Sequence, residues 1–184
     1  MAFKFSSPTL GALGLTTLTT VAPGTGNLPS TTYEPQLGEI RHGWDATLGW
    51  GEFIYLKIPA STTLSVGNLV YWTAGYAATI LPALATIKNT SASVAVTVVA
   101  VSSTTDVQYG WFQIGGQATV LKTAVAVNPN VNVYASATTG RIKVLTSAGG
   151  QIQGMRSANA ATVTSTTSTV TVYMDRPKMQ GQIT

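Results

Sequence analysis

The chain predicts an all-β protein, an antiparallel β-barrel or sandwich with an extended N-terminal arm. Three observations carry that expectation. Short runs rich in Val, Ile, Thr, Tyr and Trp recur from about residue 48 to 175, bounded by Gly, Pro and Asn; the former suit a pleated, half-buried surface and the latter make turns. No window sustains the 3.6-residue apolar period of an amphipathic helix, and Leu81 to Ile87 is the one plausible helical turn. Residues 1–40 differ: Pro8, Pro23, Pro29 and Pro35, with Gly11, Gly14, Gly24, Gly26 and Gly38, interrupt them too often for helix or long strand. The expected division is an arm over 1–40, a β-domain over 41–176 and a tail over 177–184.

The elements follow in order. The arm has little continuous apolar surface to offset its ordering entropy. It is therefore expected to contribute little to the domain core and to become ordered on a large partner. Glu52-Phe-Ile-Tyr-Leu-Lys57-Ile reads as a strand stopped by Pro59, and Leu69-Val-Tyr-Trp72, leading into Gly75, as half of a hairpin. Val94 to Val101 is a β-branched run of the kind buried on both faces. Tyr109–Ile114 and Gln117–Lys122 flank Gly115-Gly116, a pair that tolerates the positive φ of a tight primed turn, so a hairpin is expected there. Asn132-Val-Tyr134 and Arg141–Leu145 flank a Thr-Thr-Gly turn, and Gln151–Met155 and Thr169–Met174 complete the strands. The two stretches Gly67–Tyr71 and Asn130–Tyr134 predict similar hairpins.

Composition argues for binding over catalysis. Of 184 residues none is Cys, one is His (His42) and 9% are charged, with the six acidic residues scattered singly. Enzymes generally gather titratable groups so that burial and neighbouring charge tune their pKa values. A disulfide framework, thiolate metal sites and a zinc centre are all disfavoured, and no cofactor is expected. The net charge of +4 comes from Lys4, Lys57, Lys88, Lys122, Lys143, Lys178, Arg41, Arg141, Arg156 and Arg176. Their wide spacing reads as solubility, not as a phosphate-binding footprint, so no nucleic-acid partner is expected. The start of the chain imitates a secretory signal only faintly, being broken by Pro8, Gly11 and Gly14, and no run approaches the ~20 apolar residues of a membrane span.

Few residues invite a site. Arg41-His42-Gly43-Trp44-Asp45 alone groups a base, an acid and an aromatic; the expected role is a turn with Trp44 docked on the core and Asp45 capping backbone. Glu34 and Glu39 suit an ion pair with a neighbouring subunit, and Glu52 a strand edge. Trp44, Trp50, Trp72 and Trp111 are expected in core or interface, although Gly beside Trp50 and Trp111 leaves room for a ligand such as a sugar. Gly24-Thr-Gly26 lacks the spacing of a phosphate loop. Asn89-Thr-Ser91 matches a glycosylation acceptor that has meaning only on secretion. A glycosidase would need two carboxyls ~5–9.5 Å apart among Glu34, Glu39, Asp45, Glu52, Asp106 and Asp175.

Four segments carry a resemblance: Leu48-Gly-Trp-Gly-Glu-Phe-Ile-Tyr-Leu-Lys57, Val66-Gly-Asn-Leu-Val-Tyr71, Tyr109-Gly-Trp-Phe-Gln-Ile-Gly-Gly116, and Thr139-Gly-Arg141 before Gln151-Ile-Gln-Gly154. Across roughly residues 35 to 156 the chain resembles the head decoration (cement) proteins of tailed bacteriophages. The resemblance implies a non-enzymatic structural protein of the virion, made in the host cytoplasm. It would sit on the outer capsid surface, bridge major capsid protein subunits and neighbour its own copies. The alternative expectation is a glycan-binding or host-adhesion β-module of a phage tail.

Overall fold

The computed structural model describes residues 4–5, 15, 17–23, 34–102 and 105–181. Among these the strands are β1 (Lys4–Phe5), β2 (Ile40–Asp45), β3 (Gly49–Ile58), β4 (Leu69–Trp72), β5 (Ala78–Ile80), β6 (Ser93–Thr97), β7 (Gln108–Leu121), β8 (Asn132–Ala135), β9 (Ile142–Lys143), β10 (Gln151–Ser157) and β11 (Thr169–Met179). One helical turn, α1 (Leu84–Ile87), falls inside the stretch expected for it. The strands form one sheet in the order β1-β2-β3-β7-β6-β11-β10-β8-β9, with β4 joined to β6 and β5 to β4. Every pairing between strands is antiparallel, so the protein is all-β as the sequence predicts. The path is open, and the sheet curls back on itself: single parallel bridges join Lys57 to Ala77 and Lys122 to Ile142. The β4–β5 and β8–β9 hairpins stand where the two similar stretches predict them.

The expected hairpin at Gly115-Gly116 is corrected. β7 runs straight through the pair, because both of its edges are occupied there: β3 pairs with Gln108–Gly116 and β11 with Gly115–Leu121. A turn would break both ladders. The positive φ of Gly116, 84°, serves a β-bulge instead. Glu52 faces Gly115 while Phe53 faces Gln113, leaving Ile114 without an opposite residue. A Cβ on Gly116 would collide with the Trp50 carbonyl oxygen. The Gln113 side chain locks the bulge by donating through Nε2 to the carbonyls of Gly115 (3.0 Å) and Gln117 (2.7 Å).

Three apolar clusters pack against the sheet. β4 and β6 form the wall between two of them. Leu69, Val94 and Val96 face a large aliphatic cluster with Val120, Val133, Ile152, Val172 and Met179, while Val70 and Ala95 face a second with Ile54, Leu56, Phe112 and Ile114. Both faces of β6 are buried over Val94–Thr97, but the expected run to Val101 is shortened: the strand ends at Thr97, and Val98, Val99 and Ala100 are partly or fully exposed. The third cluster is aromatic, Phe53, Tyr55, Tyr109 and Trp111 with Leu15. Tyr55 and Trp111 are cross-strand partners with ring centroids 5.0 Å apart at 55°, a tilted arrangement favoured by the ring quadrupoles.

Two boundaries move. The chain does not end its domain at 176: β11 continues to Met179, which pairs with Ile152 and is fully buried in the aliphatic cluster. The arm is not detached where it is described. Leu15 is 1% exposed in the aromatic cluster, Leu18 packs on the second cluster, and Thr19 exchanges two backbone hydrogen bonds with Tyr109 (3.0 and 2.8 Å). The physical reason is Gly110: without a Cβ it leaves the space that the Leu18 side chain fills. Residues 6–14 and 24–33, on which much of the arm expectation rests, lie outside the described residues, as does Gly24-Thr-Gly26.

Candidate functional site

A trough crosses the outer face of β2, β3, β7 and β11. The β2–β3 register places His42 opposite Glu52 and Trp44 opposite Trp50. The β3–β7 register carries Glu52 to Gly115, and β7–β11 carries Gly115 to Asp175 and Gln117 to Tyr173. The result is an open groove of about 650 Å³ lined by His42, Trp50, Gly51, Glu52, Gly115, Gly116, Tyr173, Met174, Asp175 and Arg176. Trp50 is 61% exposed and Tyr173 55%. The floor is glycine of necessity: a Cβ at Gly115 would press on Glu52 at 3.0–3.1 Å. A second hollow of about 380 Å³, lined by Asn132, Gln151, Gly154, Met155 and Arg156, shares Tyr173 and Asp175 with the first and extends it.

One end of the groove is held by charge. Arg176 donates from Nε to Glu52 Oε2 (3.1 Å) and from Nη2 to Oε1 (3.3 Å), and His42 Nε2 lies 3.1 Å from Oε1. The Arg176 hydrogen bond is the main cause that holds the Glu52 carboxyl below the usual glutamate range, against partial desolvation. Arg176 has φ of 41°, left-handed for a non-glycine residue. It sits at the β10–β11 irregularity, where a Cβ on Gly154, itself at φ 75°, would press on the Asp175 carbonyl. Backbone of this kind costs about 1–3 kcal/mol and persists only where the surroundings enforce it; here it turns the guanidinium toward β3.

The expected site residues are distributed as follows. Asp45 is buried and its Oδ1 accepts from the backbone N–H of Thr47 (2.8 Å) and Leu48 (2.9 Å), the capping role read from the sequence. Trp44 is not docked on the core; it is 45% exposed, because alternation along β2 puts it on the face opposite Asp45. The same alternation separates His42 from Asp45. Glu39 pairs within the chain, accepting from Arg41 Nε at 2.6 Å and from the Gln36 N–H at 3.0 Å. Glu52 is an ion-pair centre inside the sheet and not an edge residue. Glu34 and Asp106 lie away from the groove lining. The tryptophans divide: Trp111 is 1% exposed, Trp72 packs partly buried on the second cluster, and Trp44 and Trp50 are surface residues.

Lys122 departs most from expectation. It is 1% exposed, and Nζ donates to the carbonyls of Val125 (2.8 Å), Thr164 (2.9 Å) and Thr123 (3.4 Å). Burial lowers its pKa. It is a latch tying two loops to the end of β7, not a solubilising charge. Among the described residues no group of three or more His, Asp or Glu is placed to hold a metal ion, and no helix is long and apolar enough to cross a membrane. No family model and no curated protein sequence matches the chain.

Proposed function

We propose that the protein is a structural capsid decoration protein, which binds the outside of a phage head and bridges neighbouring major capsid protein subunits without chemistry. The observation that carries this reading is where the resembling segments lie. Leu48–Lys57 and Tyr109–Gly116, far apart in the chain, run side by side as β3 and β7, so the resemblance falls on the central ladder of the sheet. The outer hairpin built on that ladder displays Ile40 (39% exposed) and Trp44, apolar surface of the kind that marks protein contacts. A clamp of this sort adds its binding free energy to the cost of separating shell subunits. Several weak contacts from one molecule become strong together, since each after the first is effectively intramolecular.

The electrostatics of Glu52 argue against its serving as a glycosidase acid. A glycosidase acid needs a carboxyl with a raised pKa, and Glu52 is shifted the opposite way by Arg176. The test is to add the full-length protein to heads assembled without it, then measure occupancy and the temperature of DNA release. Saturating occupancy and a higher release temperature are expected, with Trp44→Ala weakening both. Heads that take up no protein, or take it up with no gain in heat resistance, overturn the reading.

A further inference from the structure

We propose that the trough between Trp50 and Tyr173 is a binding site for a neutral saccharide, a function beyond shell attachment and independent of it. Four features of the trough converge on that chemistry. Two large aromatic rings stand exposed in one groove, Trp50 from β3 and Tyr173 from β11. A pyranose has an apolar C–H face that lies flat on such rings, and aromatic side chains present contact area with little conformational freedom to lose. The groove is also lined by Gly51, Gly115 and Gly116, which place no side chain of their own in it.

At the charged end, Glu52 offers carboxylate acceptors and Arg176 planar donors. Adjacent sugar hydroxyls, each both donor and acceptor, complement such a pair. The left-handed backbone of Arg176 is the third feature, since strain of this kind gathers at ligand sites. Charge balance is the fourth. Across the two hollows the formal charges of Glu52 and Asp175 balance those of Arg156 and Arg176, with a neutral His42 adding none, so no excess of charge favours a phosphate, a sialic acid or a nucleic acid. Asn132 and Gln151 in the second hollow add amide donors and acceptors, so the trough suits a short oligosaccharide better than a single sugar. Its volume lies in the ~300–1,000 Å³ range of small-molecule sites.

The test uses the free full-length protein. Neutral oligomers of glucose, galactose, mannose and N-acetylglucosamine are titrated by calorimetry and tryptophan fluorescence, with sialyllactose and a heparin fragment as charged controls. Saturable binding of at least one neutral oligomer is expected, with the charged controls weaker. Trp50→Ala and Tyr173→Ala should each weaken binding about tenfold. Both side chains are mostly exposed, so the melting temperature should stay unchanged, and head occupancy should survive Tyr173→Ala. Binding of none of the neutral oligomers, preference for the charged controls, or unchanged affinity in both variants overturns the proposal. Loss of head occupancy in both variants without saccharide binding assigns the trough to the shell and also overturns it. Because no heads are present in the titration, its failure leaves the decoration reading untouched, and failed head binding leaves the saccharide site untouched.

Discussion

On one face of the β3–β7 ladder Ile54, Leu56, Ile58, Phe112 and Ile114 are covered mainly by strands, through Val70 of β4, Ala78 of β5 and Ala95 of β6, with Leu64 and Val101 from a bridged pair of loops and Leu18 from the N-terminal segment at the margin. On the other face Phe53, Tyr55, Tyr109 and Trp111 are covered by Leu15 and by the loop residues Leu37, Leu48, Val98 and Val107. The two faces are equally dry and differ in what keeps them so. Strand cover is held by ladder hydrogen bonds as well as packing, whereas loop cover relies on side chains reaching in from separate segments. The N-terminal segment reaches both faces, but it supplies a fully buried side chain, Leu15, only to the aromatic one, while Leu18 is a partly buried addition to a face that rests mostly on the sheet itself. Burial also pushes the Tyr55 hydroxyl far above its ordinary pKa, with Tyr109 and Glu34 adding to the effect, which fits a closed environment on the loop-covered side.

The largest expected effect breaks either face directly. Phe112→Ala and Trp111→Ala, both 1% exposed, should each cost about 3–5 kcal/mol in denaturant unfolding. A loss below about 1 kcal/mol for Trp111→Ala would mean that the loop-covered face is not packed in solution.

A smaller effect sharpens the comparison. Leu15→Ala should cost about 2–5 kcal/mol, and a double-mutant cycle should show about 0.5–3 kcal/mol of coupling with Trp111→Ala and near additivity with Phe112→Ala. Equal coupling to both would erase the distinction between the faces. It follows that deleting residues 1–38 should lower the melting temperature clearly, against the sequence expectation that the arm contributes little to the domain core.

The smallest effect lies where the ladder passes from covered to open, at Glu52. Its folded pKa is lowered from the ordinary 4.5, so its contribution to stability is present above the unfolded value and is lost as pH falls through the folded one. Melts of the wild type and Glu52→Gln should therefore differ slightly at neutral pH and converge as the pH falls below the ordinary value and through the lower folded one. A gap that widens in acid would reverse the sign and remove Arg176 from the account of Glu52.

What the sequence determined by itself was local. Period-two and β-branched runs placed most strands within a few residues, and the absence of helical periodicity left room only for the turn at Leu84–Ile87. The Asp45 cap was legible for the same reason: its hydrogen bonds close within three residues. What only the tertiary structure decided was every role that depends on a distant partner. Gly115-Gly116 has identical local freedom in a turn or a bulge, and the occupied edges of β7 chose the bulge. Lys122 is one more cation in a list until the Thr164 carbonyl, 42 residues away, reaches its ammonium. Trp50 and Trp111 share the same glycine-flanked context, yet one is 61% exposed and the other 1%, because strand register and not sequence context decides which face a side chain takes. The trough itself joins Glu52 to Arg176 across 124 residues, a separation at which pairing is set by sheet topology, to which neither residue's neighbours in the chain give any clue.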